Sequence, residues 1–546
     1  MAQIQFKGKS FVQNHHLLVK YHELIPKKGK SITDKVSLHD NLIIHGDNLK
    51  ALKALLPLYA GKIKCIYIDP PYNTGNEKWA YNDNVNSPMM QEWLGKVVDR
   101  EDLARHDKWL CMMTPRLKLL RDLLREDGAI FVSIDDNEIH HLLSLMNEIF
   151  SEENFRNTVI VRRGVKSVQA QFDKMDRLAI GSEFVVGYTK DKDYRFEQFR
   201  IDLDEHRQGT WNNHWRGTDR PSMRYKLFGI VPESGQWRWS QDRSKGAVEN
   251  YKLLLKETGK NAQNITQEEI DVWYLKKPED GENYNLLRLS KNGKPEHYVP
   301  PSETKFGSSL WTDLKPNGNS QLKMIFGKKV FDNPKSVDLL KRLFAFANVK
   351  NEDVVLDSFA GSGTTAHAVL ALNKEDGGSR KFILVECEDY ADKITAERVR
   401  RVIKSVPKAK DENLKKGLGG TFSYFELGKA IELESILSGD RMPTYKELAR
   451  YIFYTATGEE FDAKALSEKK NFVGESRNYK VYLFYEPDIE KLKNIALTLE
   501  RAKSIGRQGK KRRLVFAPTK YLDQAHLDEL RIDFAQLPFE IYELAR

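Results

Sequence analysis

Asp69-Pro70-Pro71-Tyr72 sets a carboxylate, two stiffened peptide units and an aromatic ring side by side, directly after the apolar run Cys65–Ile68. An exocyclic amine on a base is a poor nucleophile because its lone pair is delocalised into the ring. Acceptors that draw on its protons pull the nitrogen toward tetrahedral geometry. Asp69 supplies one acceptor, and the Pro70 carbonyl, on backbone whose φ is fixed by proline, supplies another. Preorganised acceptors of this kind lower a barrier without reorganising during the reaction. Tyr72 offers a face on which a base turned out of a duplex can stack. The tetrapeptide therefore reads as a compact amine-methylating site. A proline turn with a packed tyrosine is the plain structural reading of the same residues.

A second constellation lies in "VVLDSFAGSGTTAHAV". Asp357 ends an apolar run, so its carboxylate is expected at the carboxyl edge of a sheet, where open α/β sheets bind ligands. Gly361 and Gly363 let a ligand approach the backbone closely, and Thr364 and Thr365 begin a helix. Glu386 closes the next apolar run, "FILVE", at about the distance from which an acid grips ribose hydroxyls. A phosphate-binding P-loop would need a lysine after the second glycine, and none stands there. A nicotinamide site would want a third glycine three residues on, where His367 and Ala368 occur. A nucleoside ligand without a pyrophosphate is favoured, and S-adenosylmethionine is such a ligand.

The elements that must position these residues follow from periodicity. "NLIIHGDNLKALKALLPLYAGKIKCIYIDPPY" reads strand, turn, amphipathic helix, strand, with Leu49, Leu52, Leu55 and Leu56 at helical spacing. That is a βαβ unit with parallel strands. "DKWLCMMTPRLKLLRDLLRED" reads as a helix, "GAIFVSID" as a strand and "NEIHHLLSLMNEIF" as a helix. "NTVIVRR" and "SEFVVGYTK" read as two further strands, in antiparallel pairing. "KVFDNPKSVDLLKRLFAFAN" reads as a helix begun at Pro334 and Lys335, since proline suits a first turn. The whole is an α/β pattern with an open sheet.

The chain has 546 residues, a net charge of +10 and 40% apolar residues. Its length implies more than one domain, and its apolar content sufficient cores. The basic balance points to a polyanionic partner, nucleic acid first. Three scattered cysteines, Cys65, Cys111 and Cys387, give no case for a disulfide framework or zinc site and fit a reducing cytoplasm. No signal-like segment and no run of ~18 apolar residues occurs, so neither a membrane span nor secretion is expected.

"DPPY" and "DSFAGSGTT" together resemble the amino-methyltransferases of DNA, which modify adenine N6 or cytosine N4. With the tetrapeptide first and the cofactor loop last, the order resembles the family's β class, a circular permutation of the common methyltransferase sheet. "DPPYNTG" and "FAGSGTTAHAV" resemble the modification subunits of type III restriction systems. The resemblance spans roughly residues 38 to 405. It implies a Rossmann-like methyltransferase sheet, circularly permuted, with an inserted target-recognition region, while the strand and helix pattern past Pro407 reads as a small separate C-terminal α/β domain. The implied limits are 1–37 for an N-terminal arm, 38–200 and 322–406 for the two catalytic halves, 201–321 for target recognition and 407–546 for dimerisation or partner docking.

By the same resemblance, Asp69, Pro70, Pro71 and Tyr72 are catalytic. Asp357, Phe359, Gly361, Gly363, Thr364 and Thr365 form the cofactor loop, and Glu386 binds the ribose. Asp47 of "HGDNL" lies beside the adenine or methionine part of the cofactor, and "NPKS", with Lys335, closes over its methionine carboxylate. Aspartate at position 69 is similar to the adenine-N6 group. The implied activity is site-specific methylation of duplex DNA at adenine N6 from S-adenosylmethionine after base flipping, with no metal in the chemistry. The expected partners are double-stranded DNA, a second copy of the chain and a restriction subunit. A cytosine-N4 or RNA substrate, or a non-catalytic recognition subunit for a partner nuclease or translocase, are the alternatives.

Between residues 207 and 245, eight Lys/Arg stand against three acids and interleave with aromatic residues. Arg216, Arg220, Arg224, Arg238 and Arg243 are candidates for contacts to phosphates or guanine edges. A solvated basic face over a small aromatic core is the equal alternative. "GVKSVQAQFDKMDRLAIGS" is a candidate loop closing on DNA. In the tail, Lys510–Arg513 reads as a solvated hairpin or strand edge, and "DIEKLKNIALTLERAKSI" as one helix.

Overall fold

The computed structural model describes residues 3–73, 105–164, 178–218, 220–277, 284–430, 442–457, 459, 461–492, 494–505 and 511–537. The candidate DNA-closing loop falls mostly within 165–177, outside the described residues. Two compact units are present, Gln198–Ser308 and the remainder of the chain.

The larger unit is built on a ten-stranded sheet. Its strands are β1 (His22–Pro26), β2 (Leu42–His45), β3 (Ile63–Ile68), β4 (Leu124–Ile134), β5 (Phe155–Arg162), β6 (Ser182–Thr189), β7 (Leu310–Trp311), β8 (Val354–Asp357), β9 (Lys381–Glu386) and β10 (Ser423–Ala430). They lie in the order β1-β10-β2-β9-β8-β3-β4-β6-β5-β7. From β10 to β4 all neighbours run parallel, as continuous apolar runs buried on both faces require. β6 is antiparallel to β5, as the sequence suggested, and also to β4.

The helices that cover the sheet are α1 (Asn48–Tyr59), α2 (Arg105–Leu123), α3 (Ile139–Phe150), α4 (Val337–Phe346), α5 (Thr364–Asp376) and α6 (Glu397–Lys404). The leucine stripe of α1 is buried, with Leu52 and Leu55 fully enclosed. Burying each such side chain contributes about 1.5–3 kcal/mol.

Two element boundaries differ from the sequence reading. The helix read through "RDLLRED" stops at Leu123, and β4 begins at Leu124, beside Ile63 of β3. Strand pairing there outweighs the helical propensity of the segment. The helix read from Pro334 begins at Val337, because the Ser336 hydroxyl caps it by accepting the Asp338 N–H.

Chain order explains where a ligand site must be. β8 leads through α5 to β9 on one side, while β3 leads through α2 to β4 on the other. β8 and β3 are adjacent and parallel, with Val355 opposite Cys65 and Leu356 opposite Ile66. The crevice at their carboxyl ends is the topological switch point of the sheet, where ligands of such folds bind.

Residues 309–321 and 407–430, read from sequence with the middle and tail regions, contribute to this unit: β7 pairs with β5, and β10 with β2 and β1. The tail adds a second, four-stranded sheet of β11 (Phe472–Glu475), β12 (Tyr479–Leu483), β13 (Arg512–Ala517) and β14 (Ile532–Gln536). Arg512 pairs with Asp533, and Arg513 is buried, donating to the carbonyls of Ala502, Ile505 and Leu530 rather than meeting solvent. The tail segment read as one helix is two short ones, Ile489–Leu492 and Leu499–Ser504, the second capped by Thr498.

The smaller unit has a three-stranded sheet, Leu287–Leu289, Pro295–Val299 and Thr210–Asn213, with helices Gln241–Thr258 and Gln267–Leu275. Its cores gather Tyr251, Leu254, Ile270, Trp273, Leu286 and Tyr298, and separately Leu227, Trp237, Ala247 and Leu287.

Candidate active site

A cleft of about 600 Å3 opens at the carboxyl ends of β3 and β8. Asp69, Pro70, Pro71 and Tyr72 line one part of it, and Asp357, Phe359, Gly361, Thr364 and Thr365 another. Two motifs nearly three hundred residues apart in the chain thus face one space, because their strands are neighbours.

The tetrapeptide is anchored from below. Trp109, fully buried on α2, donates its indole N–H to the Pro71 carbonyl at 2.8 Å. Asn73, held at φ 54°, donates its amide to the buried Glu138. Tyr67, at the end of β3, shares a 2.8 Å hydroxyl hydrogen bond with Ser133 of β4.

Within the cleft four polar side chains meet. Lys335 donates to the Tyr72 hydroxyl at 2.6 Å and to Glu183 Oε2 at 2.8 Å, and its ammonium lies 3.2 Å from Asp69 Oδ1. The Tyr72 hydroxyl also donates to Glu183 Oε2 at 3.3 Å. Burial raises the Asp69 pKa, Lys335 opposes this, and Glu183 adds to it, leaving it above the ordinary carboxylate range. For Lys335 burial acts against the charge, but Asp69 and Glu183 outweigh it and hold the ammonium protonated.

The loop after β8 is shaped by its own side chains. Asp357 Oδ1 accepts the Phe359 N–H at 3.0 Å, and Oδ2 accepts the Thr365 hydroxyl at 2.6 Å. Gly361 has φ 51° and Gly363 φ 77°, a region that disfavours any side chain. A Cβ on Gly363 would stand 3.0 Å from the Thr395 carbonyl oxygen, and one on Gly361 would stand 3.3 Å from the Phe331 ring. Gly361 keeps the backbone bare at the cleft, whereas Gly363 is absent from the cleft lining and its bare side faces Thr395. Burial pushes the Asp357 carboxyl up to about 7. Arg398, fully buried, reaches up from α6 to donate to Ser362 and to Thr364 Oγ1 at 2.8 Å.

Glu386 and Asp47 are placed differently from the other expected residues. Glu386 is buried behind the loop: Oε2 accepts the Gly361 N–H at 2.7 Å and Oε1 the Glu388 N–H at 3.0 Å. Burial raises its pKa to about 7. Asp47 caps α1 by accepting the Lys50 N–H at 3.0 Å and lies 3.5 Å from Arg116, lining a separate hollow with His45 and Lys50. The Lys335 ammonium points to the tetrapeptide's side of the cleft.

Sequence reasoning missed several residues here. Glu183 stands at the start of β6, where only the fold reveals which way it points. Arg162, Arg163 and Lys315 line the cleft as a basic rim, while Phe331 and Tyr390 pack edge-on at 5.5 Å in its wall. The "VRR" ending β5 was a visible signal without a direction. Trp109 and Arg398 carried no signal distinguishing them from core and helix surface.

In the smaller unit Arg216, Arg220 and Arg243 are exposed, Arg243 lying 4.5 Å over the Trp239 ring. Arg224 and Arg238 are half-buried, and Arg224 donates to the Gly235 carbonyl at 2.9 Å.

The DNA methylase family profile matches residues 63–397, which contain both motifs and the strands that pair them. The chain belongs to the DNA methylase family. Among curated relatives of this methylase, the EcoPI Mod subunit of the type III restriction-modification enzyme from Escherichia phage P1 is 31% identical over 449 residues, 73% of this chain and 67% of that protein. The StyLTI Mod subunit of Salmonella typhimurium is 31% identical over 443 residues, 73% and 62% of the two chains. The type II methyltransferase M.KpnI of Klebsiella pneumoniae is 34% identical over 366 residues, 62% and 79%. The methylase spans less than two thirds of the StyLTI relative's length. None of its described helices is long and apolar enough to cross a membrane.

Proposed function

We propose that this methylase transfers a methyl group from S-adenosylmethionine to adenine N6 at a specific site in duplex DNA. The observation that carries the reading is the single cleft shared by the tetrapeptide and the glycine loop. S-adenosylmethionine supplies an electrophilic methyl on a sulfonium, and the cleft offers Asp69, Glu183 and Asp357 beside the Lys335 ammonium, with Arg162, Arg163 and Lys315 at its rim. The bare backbone at Gly361 leaves room for the ligand, and Phe331, Tyr390 and Phe359 wall the apolar side. Glu386 acts on this ligand through the loop, by holding the Gly361 N–H.

On the other side of the cleft, Asp69 accepts one proton of the target amine and the Pro70 carbonyl the other. Tyr72 stacks on the everted base, its hydroxyl fixed by Lys335 and Glu183. Arg162, Arg163 and Lys315 at the rim meet phosphates. The exposed arginines of the 198–308 unit read the site. By the likeness to Mod subunits, the methylase acts as the modification and recognition subunit of a restriction-modification system, as a homodimer, beside a separate nuclease or translocase subunit.

Asp69→Asn keeps the shape and removes the acceptor charge. Labelled-methyl incorporation into duplex DNA is expected to fall by about a thousandfold, at the scale of a lost preorganised group. Calorimetric affinity for S-adenosylmethionine should stay within a few-fold. Near-normal turnover would remove Asp69 from the mechanism. Base-resolved mapping of the product assigns the amine: methyl on cytosine N4 would replace the adenine reading, and no methyl on any sequence would favour a recognition subunit without catalysis.

A further inference from the structure

Behind the tetrapeptide, away from the cleft, three donor side chains converge. Glu138 stands at the residue before α3, its side chain fully buried and turned away from the helix's own N–H groups. His106 of α2 lies with Nδ1 2.7 Å from Glu138 Oε1, and His141 of α3 with Nδ1 2.9 Å from Oε2. All three ligand atoms fall within 4.8 Å of one another. The His106 and His141 rings are 4.7 Å apart, and His140 packs 4.0 Å from His141.

We propose that His106, Glu138 and His141 bind a divalent transition-metal ion of the zinc class. Two imidazoles and a carboxylate form a donor set that suits zinc and its neighbours rather than magnesium or calcium, which prefer oxygen alone. Glu138 and His141 stand three residues apart at the start of one helix, a spacing that turns both toward one point. His106 comes from a second helix, so rigid elements supply the ligands. Metal–ligand bonds of about 2.0–2.2 Å require the donors to part slightly from their present hydrogen-bonded distances and to surround the ion. The half-buried imidazoles can make that rotation, and their partial exposure gives the ion a way in.

The site has a structural consequence. Asn73, next to Tyr72, donates its amide to Glu138 Oε1. An ion on Glu138 therefore fixes the carboxylate that anchors the tetrapeptide's last neighbour, with Asn73 as the supporting hydrogen bond that orients a ligand. The ion takes no part in methyl transfer, and its binding stands or falls independently of the reading of the cleft.

The test uses the full-length, untagged protein stripped with a chelator. Zn2+ is titrated in competition with a chromogenic chelator, and Co2+ is followed by its visible absorption. One tightly held equivalent is expected, with a rise in melting temperature. His106→Ala and His141→Ala should weaken it by more than the ~10–100-fold that loss of a supporting partner costs. Exposed His526→Ala should leave it intact. The metal-free melting temperatures of the variants show that they fold. No tight equivalent in the wild type, or equal binding by His106→Ala and His141→Ala, overturns the proposal and leaves the cluster a hydrogen-bonded triad.

Discussion

At Asp69 burial and Glu183 favour the protonated acid, and Lys335 favours the carboxylate. The carboxylate is the form that accepts a proton of the target amine. Because the folded pKa is raised, activity is lost as pH falls through a value above the ordinary carboxylate range. Removing the neighbouring negative charge by Glu183→Gln should move the acid limb of the single-turnover rate to lower pH, and Lys335→Met should move it higher. Shifts in the opposite senses would break the electrostatic account. Tyr72→Phe, mild if the ring only stacks, also removes the hydroxyl that bonds Lys335 and Glu183, so a loss of about 0.5–1.5 kcal/mol of stability is expected from it. Tyr72→Ala should cost more activity still, through the lost face.

The glycine loop and the tetrapeptide depend on elements packed against them. At Gly363 a Cβ meets backbone, the Thr395 carbonyl, whereas at Gly361 it meets the far edge of a movable Phe331 ring. Gly363→Ala should therefore destabilise the fold by about 1–2 kcal/mol through its left-handed backbone, with more from the clash. Gly361→Ala should be gentler on thermal stability while still weakening cofactor affinity; the reverse ranking in melting temperature would contradict the loop geometry. Trp109→Phe leaves the Pro71 carbonyl without its donor. A cost of about 1–3 kcal/mol follows from that unmet hydrogen bond, and methylation should fall more than cofactor affinity does.

Across the whole molecule, the 198–308 unit begins and ends at one place. Arg200–Arg207 pairs with Ser302–Phe306, and the Gly307 N–H bonds the Phe199 carbonyl at 2.9 Å. Its replacement by a short glycine-serine linker should leave the ten-stranded sheet and its cofactor affinity within a few-fold. Site-specific methylation should vanish, and the salt dependence of DNA affinity should flatten as phosphate contacts are lost. Retained site specificity in that deletion would move recognition to the larger unit.

The sequence alone determined the chemistry-bearing loops and the sheet class. An apolar run closed by Asp69-Pro-Pro-Tyr, and another closed by Asp357 and two glycines, are local patterns whose backbone demands are written in the residues themselves. Most helix starts and strand ends around them were legible for the same reason, save where pairing with β3 converted the end of a helical pattern into β4 and where the Ser336 cap moved the start of α4 from Pro334 to Val337. Tertiary structure alone decided which side chains share the cleft. Lys335 and Glu183 meet Tyr72 because α4 and β6 are carried there by sheet order, while Glu386 and Asp47 turn inward to bond the loop and cap α1. Those choices depend on register and packing between distant segments, which no local pattern encodes.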